Sequence, residues 1–110
     1  MGNPWRGDVS LTINGERHVM RLTLGALAEL EAGLDSGSLV ELVQRFEKGG
    51  FSTRDVLKLI VAGLRGGGWQ GQGKDLLHAE IAGGPMAATR AAAELLARAF
   101  MLPEQADEGV

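Results

Sequence analysis

The dipeptide Asn14-Gly15 closes a stretch of alternating apolar residues, and no other feature of this 110-residue chain limits its fold so tightly. Val9, Leu11 and Ile13 alternate with Ser10 and Thr12 before it, and Glu16 to Leu22 follow it. Asn and Gly both tolerate the positive φ that the central residues of a type I′ turn require, so the pair predicts a two-residue β-hairpin. Such a turn fixes the register: Ile13 faces Glu16, Leu11 faces His18, Val9 faces Met20 and Asp8 faces Arg21. Val9, Leu11, Met20 and Leu22 then share an apolar face, while Asp8, Thr12, Arg17 and Arg21 share the other. A lone two-stranded hairpin is marginal in water. Its apolar side has to lie on helices or gain strands from another chain.

The rest of the chain reads as helices. Thr23 caps a first one, with Leu24, Leu27, Leu30 and Leu34 at helical spacing and Glu29 and Glu31 turned outward, ending near Gly33. Ser38 and Glu41 form the capping-box pattern of a second, whose stripe of Leu39, Leu42, Val43 and Phe46 stops at Gly49-Gly50. Ser52 and Asp55 repeat the device for a third. Its Val56, Leu57, Leu59, Ile60, Val61 and Leu64 occupy most of the circumference, which marks it as the central helix. The glycine-rich run from Gly66 to Gly73, around Trp69, Gln70 and Gln72, predicts a flexible loop. Lys74 to Ala82 suits a short helix through Leu76, Leu77 and Ile81. After Gly83-Gly84, Pro85 opens a final helix to about Met101. There Ala88, Ala91, Ala92, Leu95, Leu96, Ala99 and Phe100 form one stripe, with Arg90, Glu94 and Arg98 opposite. The expected fold is α+β, an N-terminal antiparallel hairpin followed by a bundle of four to five helices. One domain is expected over residues 1–102, with a short acidic tail at 103–110 carrying Glu104, Asp107 and Glu108.

Composition narrows the function classes. With no cysteine there are no disulfides, thiolate metal sites or cysteine nucleophiles. The net charge of -3 argues against a nucleic-acid surface, which needs clustered Lys and Arg. No apolar run is long enough to span a membrane, and Met1 to Arg6 lacks a signal-peptide pattern, so a cytoplasmic protein is expected.

Motif by motif, chemistry falls away. Gly68 to Lys74 matches the GxxxxGK core of a phosphate loop, but Asp75 replaces the hydroxyl residue that would hold magnesium, and its carboxylate would repel phosphate. His18 and His78 have no second ligand at metal spacing, and His18, opposite Leu11, reads as a partly buried structural residue. Of the serines, Ser38 and Ser52 are explained as caps, and neither Ser10 nor Ser36 sits in a nucleophile elbow. Glu29 and Glu31 point about 200° apart on a helix and cannot face one substrate. No enzyme, cofactor or metal is therefore expected. Trp69 reads foremost as a lid folded over the core, with an anchor for a partner as the alternative, and Trp5 as packed against the helices under the hairpin.

Two surfaces suit protein binding. The hairpin edge offers backbone groups for strand addition, and the alanine stripe of the last helix suits an amphipathic helix. The candidate protein-binding residues are Arg17 and Arg21 on the outer face of the hairpin, Trp69 on the loop, and Arg90, Glu94 and Arg98 on the last helix.

The run from Arg6-Gly7-Asp8-Val9 through Leu22-Thr23-Leu24-Gly25-Ala26-Leu27-Ala28-Glu29-Leu30-Glu31 resembles the start of a family encoded in gene transfer agent and phage tail gene clusters. Phe51 to Val56, Ala62 to Gly66 and the alanine-rich stretch from Gly83 to Ala97 extend the likeness over most of residues 6 to 101. Members are small tail accessory proteins, grouped with tail assembly chaperones and in places labelled tail tube proteins. The resemblance implies binding to the tape measure protein or tail tube subunits in a bacterial cytoplasm, or a place in the particle tail. Retention in the particle as a structural tail or connector subunit is the alternative, and a small DNA-binding regulator a weaker one. Homo-oligomerisation stays open.

Overall fold

The computed structural model of the chain describes residues 8 to 34 and 38 to 108, with side chains as far as Phe100. Strands β1 (Val9–Ile13) and β2 (Glu16–Met20) form a two-stranded antiparallel sheet. Four helices follow: α1 (Leu24–Ala32), α2 (Leu39–Lys48), α3 (Thr53–Gly66) and α4 (Gly84–Glu108). The chain is thus α+β. Asn14 at φ 53° and Gly15 at φ 82° make the tight turn. Every pairing expected of the hairpin is present, from Ile13 with Glu16 to Val9 with Met20. Val9, Leu11, Ile13 and Met20 are buried on its inner face.

The caps lie where the sequence places them, because each satisfies an N–H group that the first turn leaves without a partner. The Thr23 hydroxyl accepts from Ala26 N–H at 3.1 Å and Ser38 from Glu41 N–H at 3.4 Å. Ser52 and Asp55 complete a reciprocal box, at 3.1 and 2.9 Å. Gly49 ends α2 in the left-handed region at φ 78°.

Helix α3 is central. It packs against α1, β2 and α4, and Leu59, Ile60 and Leu64 are fully buried. On its far side α4 covers β1, burying Ala88, Ala91, Ala92, Leu95 and Leu96. The alanine stripe thus faces the chain's own core and is not offered to a partner's helix. Small side chains were needed because α3 itself approaches closely: a Cβ on Gly63 would lie 2.7 Å from a Leu95 methyl.

The structure corrects four local expectations. Lys74 to Ala82 is not a helix. A 3₁₀ turn over Gly73–Leu76 gives way to extended chain in which Ile81 bridges Ile13. The β-branched Ile81 takes a strand-like place because the turn-proximal edge of β1 offers partners: Asn14 N–H donates to Glu80 C=O at 2.7 Å and Ala82 N–H to Thr12 C=O at 3.0 Å. Leu24, at the flank of the α1 stripe, is 77 % exposed rather than packed. The last helix continues past Met101 to Glu108, through part of the expected acidic tail. The glycine run, finally, is shaped by packing: a Cβ on Gly66 or Gly67 would meet the backbone of Arg21 or Val19. Trp5 and Ser36 lie outside the described residues.

Candidate functional site

Chain packing decides which of the expected binding surfaces remain available. On the outer face of the hairpin, Arg17 is exposed and donates to the Ser10 hydroxyl at 3.0 Å. Arg21 makes a two-pronged pair with Asp8, at 2.8 and 3.2 Å, the cross-strand partner that the register assigns to it. The hydrogen bond to Asp8, followed by its charge, raises the Arg21 pKa further above the physiological range. Half-exposed Val19 lies between these two arginines along β2. His18 on the inner face is partly buried, as expected.

The hairpin edges are met by the chain itself at two places. Besides the Ile81 bridge on β1, Arg21 N–H donates to the Gly63 carbonyl at 2.9 Å on the β2 side. Just beyond, the backbone of α3 presses on the strand. A Cβ on Gly66 would lie 1.9 Å from the Arg21 carbonyl oxygen, and one on Gly67 2.0 Å from that of Val19. Only glycine lets the main chains approach this closely. The start of the glycine run, read from sequence as looseness, is thus a tight crossing. The hairpin-edge surface expected from sequence is reduced accordingly.

Past that crossing, Gly68 at φ 108° turns the chain back and Trp69 N–H donates to the Leu64 carbonyl at 2.9 Å. The Trp69 indole packs against the core and is half-buried, with Gly71 against its ring. Trp69 is thus a lid over its own core. Its outer side lines a cleft of about 530 Å³ with Thr23, Ala26, Glu29, Arg65 and Gln70. The Asp75 carboxylate accepts from Gln72 N–H at 2.8 Å, closing the 3₁₀ turn, and the loop follows a helix rather than a strand. Both facts are foreign to a phosphate loop.

On α4, Arg90 is exposed, and Glu94 and Arg98 pair one turn apart at 3.6 Å. This polar row sits on a different element from Trp69 and the hairpin arginines. The six residues named from sequence therefore do not converge on one site. The cationic row of α3 is engaged within the fold: Arg65 pairs with Glu29 at 3.2 Å and Lys58 donates to the Gly33 carbonyl at 2.7 Å.

One polar constellation was missed. Arg45 of α2 reaches across Gly49-Gly50 to Asp55 of α3 with two hydrogen bonds of 3.0 Å. Burial pushes the Asp55 carboxyl up, but the hydrogen bonds from Arg45 and Ser52, with the Arg45 charge, outweigh it and leave its pKa below the usual carboxylate value. Both residues line a cleft of about 670 Å³ with Leu34, Thr53, Arg54 and Lys58. The capping pattern explained Asp55 completely at the level of sequence, so nothing pointed to a second role. The exposed apolar residues Leu24, Val40, Leu77 and Met86 were likewise invisible, since periodicity alone assigns no neighbours.

Among the described residues no group of three His, Asp or Glu side chains could hold a metal ion, and no helix is long and apolar enough to cross a membrane. The arrangement is one of ion pairs and part-buried apolar side chains, which suits contact with protein. No curated protein and no solved structure matches the chain. A family model described as "Phage tail tube protein, GTA-gp10" matches residues 6–102, nearly the whole chain, and the chain belongs to that family.

Proposed function

We propose that this chain works in building a phage-like or gene-transfer-agent tail, binding the tape measure or tail tube protein as a non-catalytic assembly chaperone in the bacterial cytoplasm. Family membership supports the tail role. The observation that favours a chaperone is the size and state of the sheet: two strands among the described residues, with the turn end of β1 taken by residues 80–82 and the far end of β2 taken by Gly63. A wall that grows by strand addition draws on a long open edge in every subunit.

The family description favours a second reading, a structural subunit retained in the tail. Mass spectrometry of purified particles separates the two. A chaperone co-purifies with its tail partner from cells and is absent from finished particles, whereas many copies per tail establish the structural reading. Arg17→Glu, on the exposed face of β2, leaves folding intact and tests whether that face takes part in co-purification. The DNA-regulator reading rests on Arg54, Lys58 and Arg65 of α3, of which Lys58 donates to the Gly33 carbonyl and Arg65 pairs with Glu29, and unchanged duplex mobility in low-salt gel shifts would dispose of it.

A further inference from the structure

Helix α2 is held differently from α3. Of its apolar stripe only Leu42 is fully buried, while Leu39, Val43 and Phe46 are half-buried. By contrast α3 buries Val56, Leu59, Ile60, Ala62, Gly63 and Leu64. Two further contacts hold α2 down, both to residues just across Gly49-Gly50: the Arg45–Asp55 pair, and a stack of Phe46 on Phe51 with ring centroids 4.5 Å apart. The connection itself is open. A Cβ on either Gly49 or Gly50 would meet nothing within 4 Å. Gly49 is explained by its left-handed φ, but Gly50 has neither a positive φ nor a close neighbour. The folded state does not require glycine at position 50. What glycine supplies there is freedom of the backbone. The cleft of about 670 Å³ beside Gly50, Ser52 and Arg45 leaves space at the foot of the helix.

We infer that α2 is a strap, a separately opening unit that lifts on Gly49-Gly50 and is latched by Arg45 on Asp55. Lifting uncovers the apolar stripe of α2 and the surface beneath Leu42 while α3, α4 and the hairpin stay folded. Local units with few buried apolar side chains open well below the free energy of global unfolding.

Amide hydrogen exchange on the isolated full chain tests the strap without reference to any partner. Amides from Leu42 to Lys48 are expected to exchange faster than those from Leu59 to Leu64. Arg45→Met, which removes the latch but keeps Asp55 hydrogen-bonded to Ser52, speeds α2 exchange roughly 5-fold, and α2 amides remain the faster set. Gly50→Ala, sterically free, slows α2 exchange. The inference is overturned if α2 and α3 amides exchange at one common rate, or if Arg45→Met leaves α2 exchange unchanged. A tail role that fails in particles leaves this result standing, and the reverse also holds.

Discussion

At its C-terminal end α3 presses Gly66 and Gly67 against the carbonyls of Arg21 and Val19, whereas ahead of its N-terminal end Gly49 and Gly50 stand in open space. The same residue type makes contact at one end and avoids it at the other. Glycine content by itself therefore says nothing about mobility; what matters is whether a Cβ would meet backbone, a side chain or water. The glycine-rich run holds part of a tight crossing, and the modest glycine pair sits at an open joint.

Substitution at the crossing should have the largest effect. Gly66→Ala or Gly67→Ala places a methyl against a backbone carbonyl that cannot move aside, and each should cost more than about 3 kcal/mol in urea unfolding. Wild-type stability in either variant would mean that α3 and β2 do not cross as described. Gly63→Ala meets a Leu95 methyl, which can shift, so a loss of roughly 1–3 kcal/mol is expected.

At the other end the effects shrink. Arg45→Met should cost about 1 kcal/mol, since the pair is partly solvated. It should also change the acid response. The Asp55 carboxyl titrates below its unfolded value, so its contribution is complete above about pH 4 and is lost as pH falls through the lower folded value, while Arg45 stays charged throughout. The gap in stability between wild type and Arg45→Met should therefore be full near neutrality and narrow below about pH 4. A gap independent of pH would remove the ion pair from the account. Smallest of all, Gly50→Ala should leave stability within about 1 kcal/mol of wild type, on the stabilising side, because the unfolded chain loses freedom and the folded one loses no contact.

The sequence was most legible where a local rule determines geometry. Asn14-Gly15 specified the turn, the turn specified the register, and the register placed Arg21 beside Asp8. Thr23, Ser38 and Ser52 marked helix starts because each cap satisfies an N–H three residues along its own chain. Legibility failed where partners are distant. Ile81 looked helical by spacing, yet the free edge of β1 drew it into extended chain. Gly66 and Gly67 looked loose because the carbonyls that crowd them belong to a strand more than forty residues earlier. The alanine stripe suggested a close neighbour but could not say that the neighbour was internal. Of the candidate site, Trp69 as a lid was foreseen, whereas the Arg45–Asp55 latch needed two helices to be seen side by side.

The Asn14 side chain has a consequence for the order of folding. Its amide oxygen accepts from Glu80 N–H at 2.9 Å, 66 residues downstream, alongside the two backbone bonds of the same junction. A hairpin forms in microseconds, but closing a loop of that length is slower and entropically costly. The turn end of β1 therefore stays without this partner until residues 80–82 have been synthesised.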